Sequence, residues 1–94
     1  MVVRKLFETE LAKIKAIDYE NQETLDRVRE IVKNILKLIA KYHVSENYVN
    51  AFKGYIENTY EHKNRIASQK FNKFRDDIAG DIQSVIWDLS RYGF

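Results

Sequence analysis

The stretch Phe71-Asn72-Lys73-Phe74-Arg75-Asp76-Asp77-Ile78-Ala79-Gly80-Asp81-Ile82-Gln83-Ser84-Val85-Ile86-Trp87-Asp88-Leu89 decides the fold class. Its apolar residues Phe71, Phe74, Ile78, Ile82, Val85 and Leu89 step by three or four, the spacing at which side chains stack on one face of an α-helix. Working outward toward the N-terminus, the same period returns in Val49, Phe52, Ile56 and Tyr60, in Leu25, Val28, Val32, Ile35 and Ile39, and in Val3, Phe7, Leu11 and Ile14. Proline is absent and glycine occurs only at Gly54, Gly80 and Gly93, so the turn chemistry of β-hairpins is missing. The sequence therefore predicts an all-α fold, an antiparallel four-helix bundle forming a single domain over residues 1–94, with the last helix at its centre.

Helix boundaries follow from local chemistry. Asp18-Tyr19-Glu20-Asn21 separates the first two stripes, and Asp18 or Asn21 can cap the second helix. That helix starts with Glu20, Glu23 and Asp26 and ends with Lys37 and Lys41, a polarity that suits the helix dipole. Ser45 offers an N-cap side chain for the third helix. The join between the third and fourth stripes contains neither proline nor glycine. One continuous helix from Ser45 to Ser90 would nevertheless measure roughly 70 Å, too long for a compact domain of this length, so a break is placed from Asn64 to Ser68. Gly80 beside Ala79 weakens the last helix relative to alanine and points to close helix packing there.

Ninety-four residues support one core, burying roughly 60 to 65% of the unfolded surface. Sixteen basic against fourteen acidic residues leave a net charge of +2, too little to imply nucleic acid by itself. The absence of cysteine removes disulfides, thiolate nucleophiles and cysteine zinc sites. No apolar run reaches the ~18 residues needed to cross a bilayer, and Met1-Val2-Val3-Arg4-Lys5 lacks the apolar region of a secretory signal, so a cytoplasmic location is expected.

Catalytic patterns are missing. His43 and His62 have no carboxylate or hydroxyl partner at a relay spacing; His43 reads as a helix C-terminal residue and His62 as a solvated one. Asp77 and Asp81, four apart, could hold a hard cation or act as an acid and base pair, but no further ligands are marked, and a solvated face is the expectation. No phosphate loop, activated serine or zinc spacing occurs. The chain is thus expected not to be an enzyme and to use no cofactor, metal or small-molecule substrate. The basic run from Lys63 to Arg75 interleaves Phe71 and Phe74, a mixture that can bind single-stranded nucleic acid or an anionic membrane. Both phenylalanines fall on the core stripe, however, which leaves Lys70, Lys73 and Arg75 as an exposed face for electrostatic contact with a protein, and nucleic acid is not the expected partner.

Function rests on the ending Arg91-Tyr92-Gly93-Phe94, an aromatic tail beyond the last core position, Leu89. Tyrosine and arginine dominate binding hot spots, so Arg91, Tyr92, Gly93 and Phe94 are candidate partner-binding residues. The tail is expected to contribute little to folding. Trp87 either plugs the bundle end, the favoured role, or forms an exposed anchor with the tail; Trp87, Lys70 and Lys73 complete the candidate surface. Six tyrosines are read as core-margin residues.

The ending Leu89-Ser90-Arg91-Tyr92-Gly93-Phe94 resembles the Arg-Tyr-Gly-aromatic terminus of immunity proteins for class IIa, pediocin-like bacteriocins. The order of signals is also similar to that family: Lys5-Leu6-Phe7, the Asp18-Tyr19 junction, Leu25 to Lys41, and Lys63-Asn64-Arg65-Ile66 before a final helix. Val44-Ser45 stands where the family often has proline, and the tail is shorter than the extended, docked tail of the family. The resemblance implies a cytosolic four-helix bundle that protects a bacteriocin producer by engaging a membrane receptor, the bacteriocin-bound mannose phosphotransferase permease, with specificity in the C-terminal half. The alternative is a small helical adaptor or accessory subunit of a larger assembly, nucleic-acid-handling or viral; a third class is nucleic-acid binding through the Lys63 to Arg75 block.

Overall fold

The computed structural model describes residues 3–17, 22–61 and 68–93. Four helices follow in order: α1 (Val3–Lys15), α2 (Gln22–Tyr42), α3 (Val49–Glu61) and α4 (Ser68–Asp88), with short 3-10 turns at Glu46–Tyr48 and Leu89–Tyr92. No strand occurs among the described residues, and the all-α antiparallel four-helix bundle is the observed architecture. The caps expected at Asp18 and Asn21, the start of the break at Asn64, and His62 lie outside the described residues. The longest dimension of the molecule is 42 Å, which excludes a continuous 70 Å helix, and the radius of gyration of 13.1 Å is close to the ~12 Å of a compact chain this long.

The apolar stripes become the core. Phe7 and Ile14 from α1, Val28, Val32, Ile35 and Ile39 from α2, Phe52 from α3, and Ile78, Ile82, Val85 and Leu89 at the α4 end are all but sealed from solvent. Each such side chain contributes about 1.5–3 kcal/mol on burial. α1 packs on both α4 and α2, and α2 packs on α3. The ring closes where Tyr55 of α3 meets the Phe74 ring edge-on at 5.9 Å and donates its hydroxyl to Asp81 at 2.6 Å. Each helix therefore has two neighbours, and none occupies the centre that the sequence assigned to α4.

The third stripe is the least buried. Only Phe52 is fully enclosed; Val49 and Ile56 are half-buried, and Tyr60 is exposed with the Arg29 guanidinium 3.8 Å above its ring. Tyr42, Tyr48 and Tyr55 do lie at the core margin. Arg75, expected on an exposed face, is instead largely covered and donates to the Ile17 carbonyl at 2.7 Å, tying the end of α1 to the start of α4.

The α2–α3 corner shows why Ser45 is not the cap that the sequence suggests. His43 follows the last turn of α2 with φ 53°, and the Val44 N–H reaches back to the Ile39 carbonyl at 3.4 Å, with Val44 itself buried. This is the Schellman ending of a helix, with histidine at the left-handed position that glycine usually fills. Ser45 is also left-handed, at φ 49°, and makes no side-chain cap bond. Its hydroxyl turns to the far end of the chain.

Candidate functional site

Residues 87–93 occupy the end of α4 beside that corner. The Ser45 N–H donates to the Tyr92 hydroxyl at 3.2 Å, and the Ser45 hydroxyl faces the Asp88 carboxylate at 3.4 Å. Ser45 is fully buried, so Tyr92 supplies the acceptor that its backbone would otherwise lack. The tail is therefore part of the bundle's bonding, a correction to the expectation that it contributes little to folding. Gly93 closes the 3-10 turn at φ 81°, a backbone that L side chains adopt only with strain, and its N–H bonds back to Leu89 and Ser90. Phe94 lies outside the described residues.

Trp87 does not plug the bundle. Its side chain is 69% exposed, because it lies on the opposite side of α4 from the Ile78, Ile82, Val85 and Leu89 stripe. Five turns of helix thus carry an apolar face inward and a single large aromatic outward. Tyr92 remains 47% exposed on its far edge, and Arg91 stands free in solvent apart from a weak 3.9 Å approach to Asp88. Trp87, Arg91, Tyr92 and Gly93 are close in sequence, but Trp87 projects outward from α4 whereas the Tyr92 hydroxyl is turned to the α2–α3 corner.

Lys70 and Lys73 are exposed at the other end of α4. Lys73 lies 14 residues from Trp87, about 21 Å along the axis, and its ammonium is paired with Asp77 at 2.9 Å. The lysines and the aromatic cluster share a helix but do not form one compact patch. Between them, seven residues from each, is Gly80. A methyl group there would meet no atom within 4 Å, so the close packing expected of Gly80 does not occur within the chain. The acid pair is also divided: Asp77 faces Lys73, and Asp81 accepts from Tyr55. Burial, the bond to Asp81 and the negative charges of Asp81 and Asp77 hold the Tyr55 hydroxyl well above the usual tyrosine range.

Among the described residues no group of three or more histidine, cysteine or acidic side chains is placed to hold a metal ion, and no helix is long and apolar enough to cross a membrane. The described surface hollows lie between α1 and α2 and between α2 and α3. Comparison with models of protein families, with curated proteins and with solved structures gave no match. What the geometry defines is a small helical bundle with one tryptophan exposed on the outer side of its last helix and a short tail bonded to the α2–α3 corner.

Proposed function

We propose that this chain is a non-catalytic protein-interaction module that docks through the outer end of α4. The observation that carries this reading is Trp87, a large apolar side chain left 69% exposed on a helix whose other aromatic residues are buried. Tryptophan, tyrosine and arginine entering a partner's pocket commonly contribute 2 kcal/mol or more each. Here all three residue types occur between Trp87 and Tyr92, and the bond to Ser45 holds the tyrosine in place before binding. Preorganisation of that kind lowers the ordering cost of association.

Within that class, the reading is an immunity protein for a pediocin-like bacteriocin, acting from the cytoplasm on the bacteriocin-bound mannose phosphotransferase permease. The four-helix architecture and the Arg-Tyr-Gly-Phe ending support it, as does a tail bonded to the bundle, a feature that the resemblance implies. The experiment is expression of the chain in bacteriocin-sensitive cells, with Trp87→Ala and Arg91→Ala alongside. Survival that both substitutions abolish, in variants with unchanged melting curves, is the expected result. No protection against any pediocin-like bacteriocin would remove the immunity reading, and protection indifferent to both substitutions would remove this docking surface.

A further inference from the structure

The bases and acids along the α1–α2 seam are segregated rather than mixed. Toward the start of α2 lie Glu23, Asp26 and Glu30, the first two paired with Arg27 and Arg29. At the other end, residues 3–7 of α1 and residues 31–45, from α2 into the following corner, carry Arg4, Lys5, Lys33, Lys37 and Lys41 and not one carboxylate. The two segments meet: Leu6 and Thr9 of α1 line a hollow of about 290 Å³ together with Lys37, Leu38 and Lys41 of α2. None of the five bases takes part in an ion pair among the described residues, whereas Lys13, Arg27, Arg29, Lys73 and Arg75 all do. The acids at the margin are Glu8 and Glu30, both exposed, and Glu46, which lies 3.4 Å from His43. Glu10 is buried. Its Oε1 accepts from Lys13 at 3.2 Å and from the Asn34 amide at 3.5 Å, and its Oε2 is enclosed without a partner.

Folding accounts for only part of this cluster. Lys37 and Lys41 lie toward the C-terminal end of α2 and suit the dipole of that helix. Arg4 and Lys5 do the reverse: they stand in the first turn of α1, which holds no acid, and meet the positive end of its dipole. Setting them against the α2 lysines adds like-charge repulsion. Between the bases stand Leu6 and Leu38, both half-buried. Lysine stems reach past such residues and carry the ammonium outward.

We propose that this end of the α1–α2 face lies on an anionic lipid bilayer, with Arg4, Lys5, Lys33, Lys37 and Lys41 at the headgroup phosphates and Leu6 and Leu38 toward the acyl boundary. Charge complementarity selects the occupant, since a lipid surface offers mobile negative charges to bases spread over two helices. Composition separates a bilayer from a polynucleotide, whose binding surfaces combine basic grooves with aromatic rings that stack on bases. The ring at this patch, Tyr42, is half-buried, with the Lys41 ammonium 5.3 Å from its centre. This inference is independent of the docking surface on α4: α2 packs on α1 and α3, and the outer side of α4 stays free for a protein partner.

The test is cosedimentation of the full chain with phosphatidylcholine vesicles, with and without about one third phosphatidylglycerol. Binding to the anionic vesicles alone, weakening as salt rises from about 0.1 M to about 1 M, is expected. A base near an anionic surface is worth about a fivefold gain in partitioning, so Lys37→Gln combined with Lys41→Gln should weaken binding by at least about tenfold. Lys15→Gln combined with Arg27→Gln removes the same charge outside the patch and should change binding by less than about threefold. All four side chains are exposed, so neither pair of substitutions disturbs the core. A single-stranded oligonucleotide serves as the competing polyanion. No sedimentation with anionic vesicles at the lower salt, equal losses from the two pairs of substitutions, or tighter binding of the oligonucleotide than of the vesicles would each overturn the inference.

Discussion

On α4 the inner face buries Phe71, Ile78, Ile82, Val85 and Leu89 to 1% exposure or less, whereas the outer face leaves Lys73, Gly80 and Trp87 in solvent. One helix thus carries two sets of residues chosen by different constraints. The inner set is what folding needs: aliphatic side chains at helical spacing, each filling space between α1 and α3. The outer set runs against what folding favours. A glycine in mid-helix costs about 1 kcal/mol relative to alanine, and nothing in the chain approaches Gly80 closely enough to require it. Trp87 keeps most of its apolar surface in water. Residues that break a local rule without a gain in the fold concentrate where a protein meets something else.

The largest change expected from testing this contrast is on the inner face. Ile82→Ala, at a fully buried position, should lower the unfolding free energy by about 2–5 kcal/mol through lost transfer energy and a residual cavity. Chemical denaturation measures it, and a loss under about 1 kcal/mol would mean that α4 is not packed as described. Next comes the α3–α4 contact. Tyr55→Phe removes a bond to a charged acceptor and should cost about 1.5 kcal/mol, at the low end for such bonds because the site is partly solvated. The same contact sets an alkaline dependence. The folded pKa of Tyr55 is raised, so folding favours the neutral phenol. That contribution is intact below the unfolded value of about 10 and is lost as the pH rises through the folded value. Urea titrations from pH 8 to 12 should show a steeper decline above about pH 10 in the native chain than in the Tyr55→Phe variant.

Tyr92→Phe sharpens the comparison at the helix end. It leaves the buried Ser45 N–H without its acceptor and should cost about 1 kcal/mol; an unchanged melting temperature would return the tail to the status of a frayed end. Gly80→Ala should stabilise the chain by about 1 kcal/mol, since the added methyl has open space and the helix gains propensity. If the outer face meets a partner closely at Gly80, the same substitution weakens protection in bacteriocin-challenged cells, and stabilisation with full protection would separate Gly80 from function. The smallest effect on folding belongs to Trp87→Ala, within about 0.5 kcal/mol of the parent, although it should have the greatest consequence for partner binding.

Periodicity made the inner faces legible residue by residue. Phe7, Leu25, Val32, Phe52, Phe71 and Ile82 are all apolar at helical spacing and all buried, because the burial of one face of a helix is a local property of the chain. The weakness of the third stripe was not legible, since Tyr60 has the right spacing but is left half exposed, with Arg29 of α2 over its ring. Glu10 was legible in principle, as an acid at an apolar position of the first stripe. Its unfilled oxygen was not, because that depends on how far Asn34 of another helix reaches.

The candidate surface divides in the same way. Trp87, Arg91, Tyr92 and Gly93 could be named from composition and from the tail's position after Leu89, but the exposure of Trp87 depends on its angle around α4 relative to three other helices. Spacing places a residue on a face; only the assembled ring says whether that face is covered. Ser45 illustrates the limit most sharply. Its sequence neighbours suggest a helix cap, whereas its partners are Asp88 and Tyr92, more than forty residues away. The sequence by itself determined the helices, their number and their buried sides, because helical periodicity and turn chemistry act over a few residues. The tertiary structure alone decided that the tail is bonded to the α2–α3 corner, that Trp87 faces outward and that one oxygen of Glu10 is unfilled, because hydrogen bonds and burial between distant segments are set by where the packed helices bring their ends.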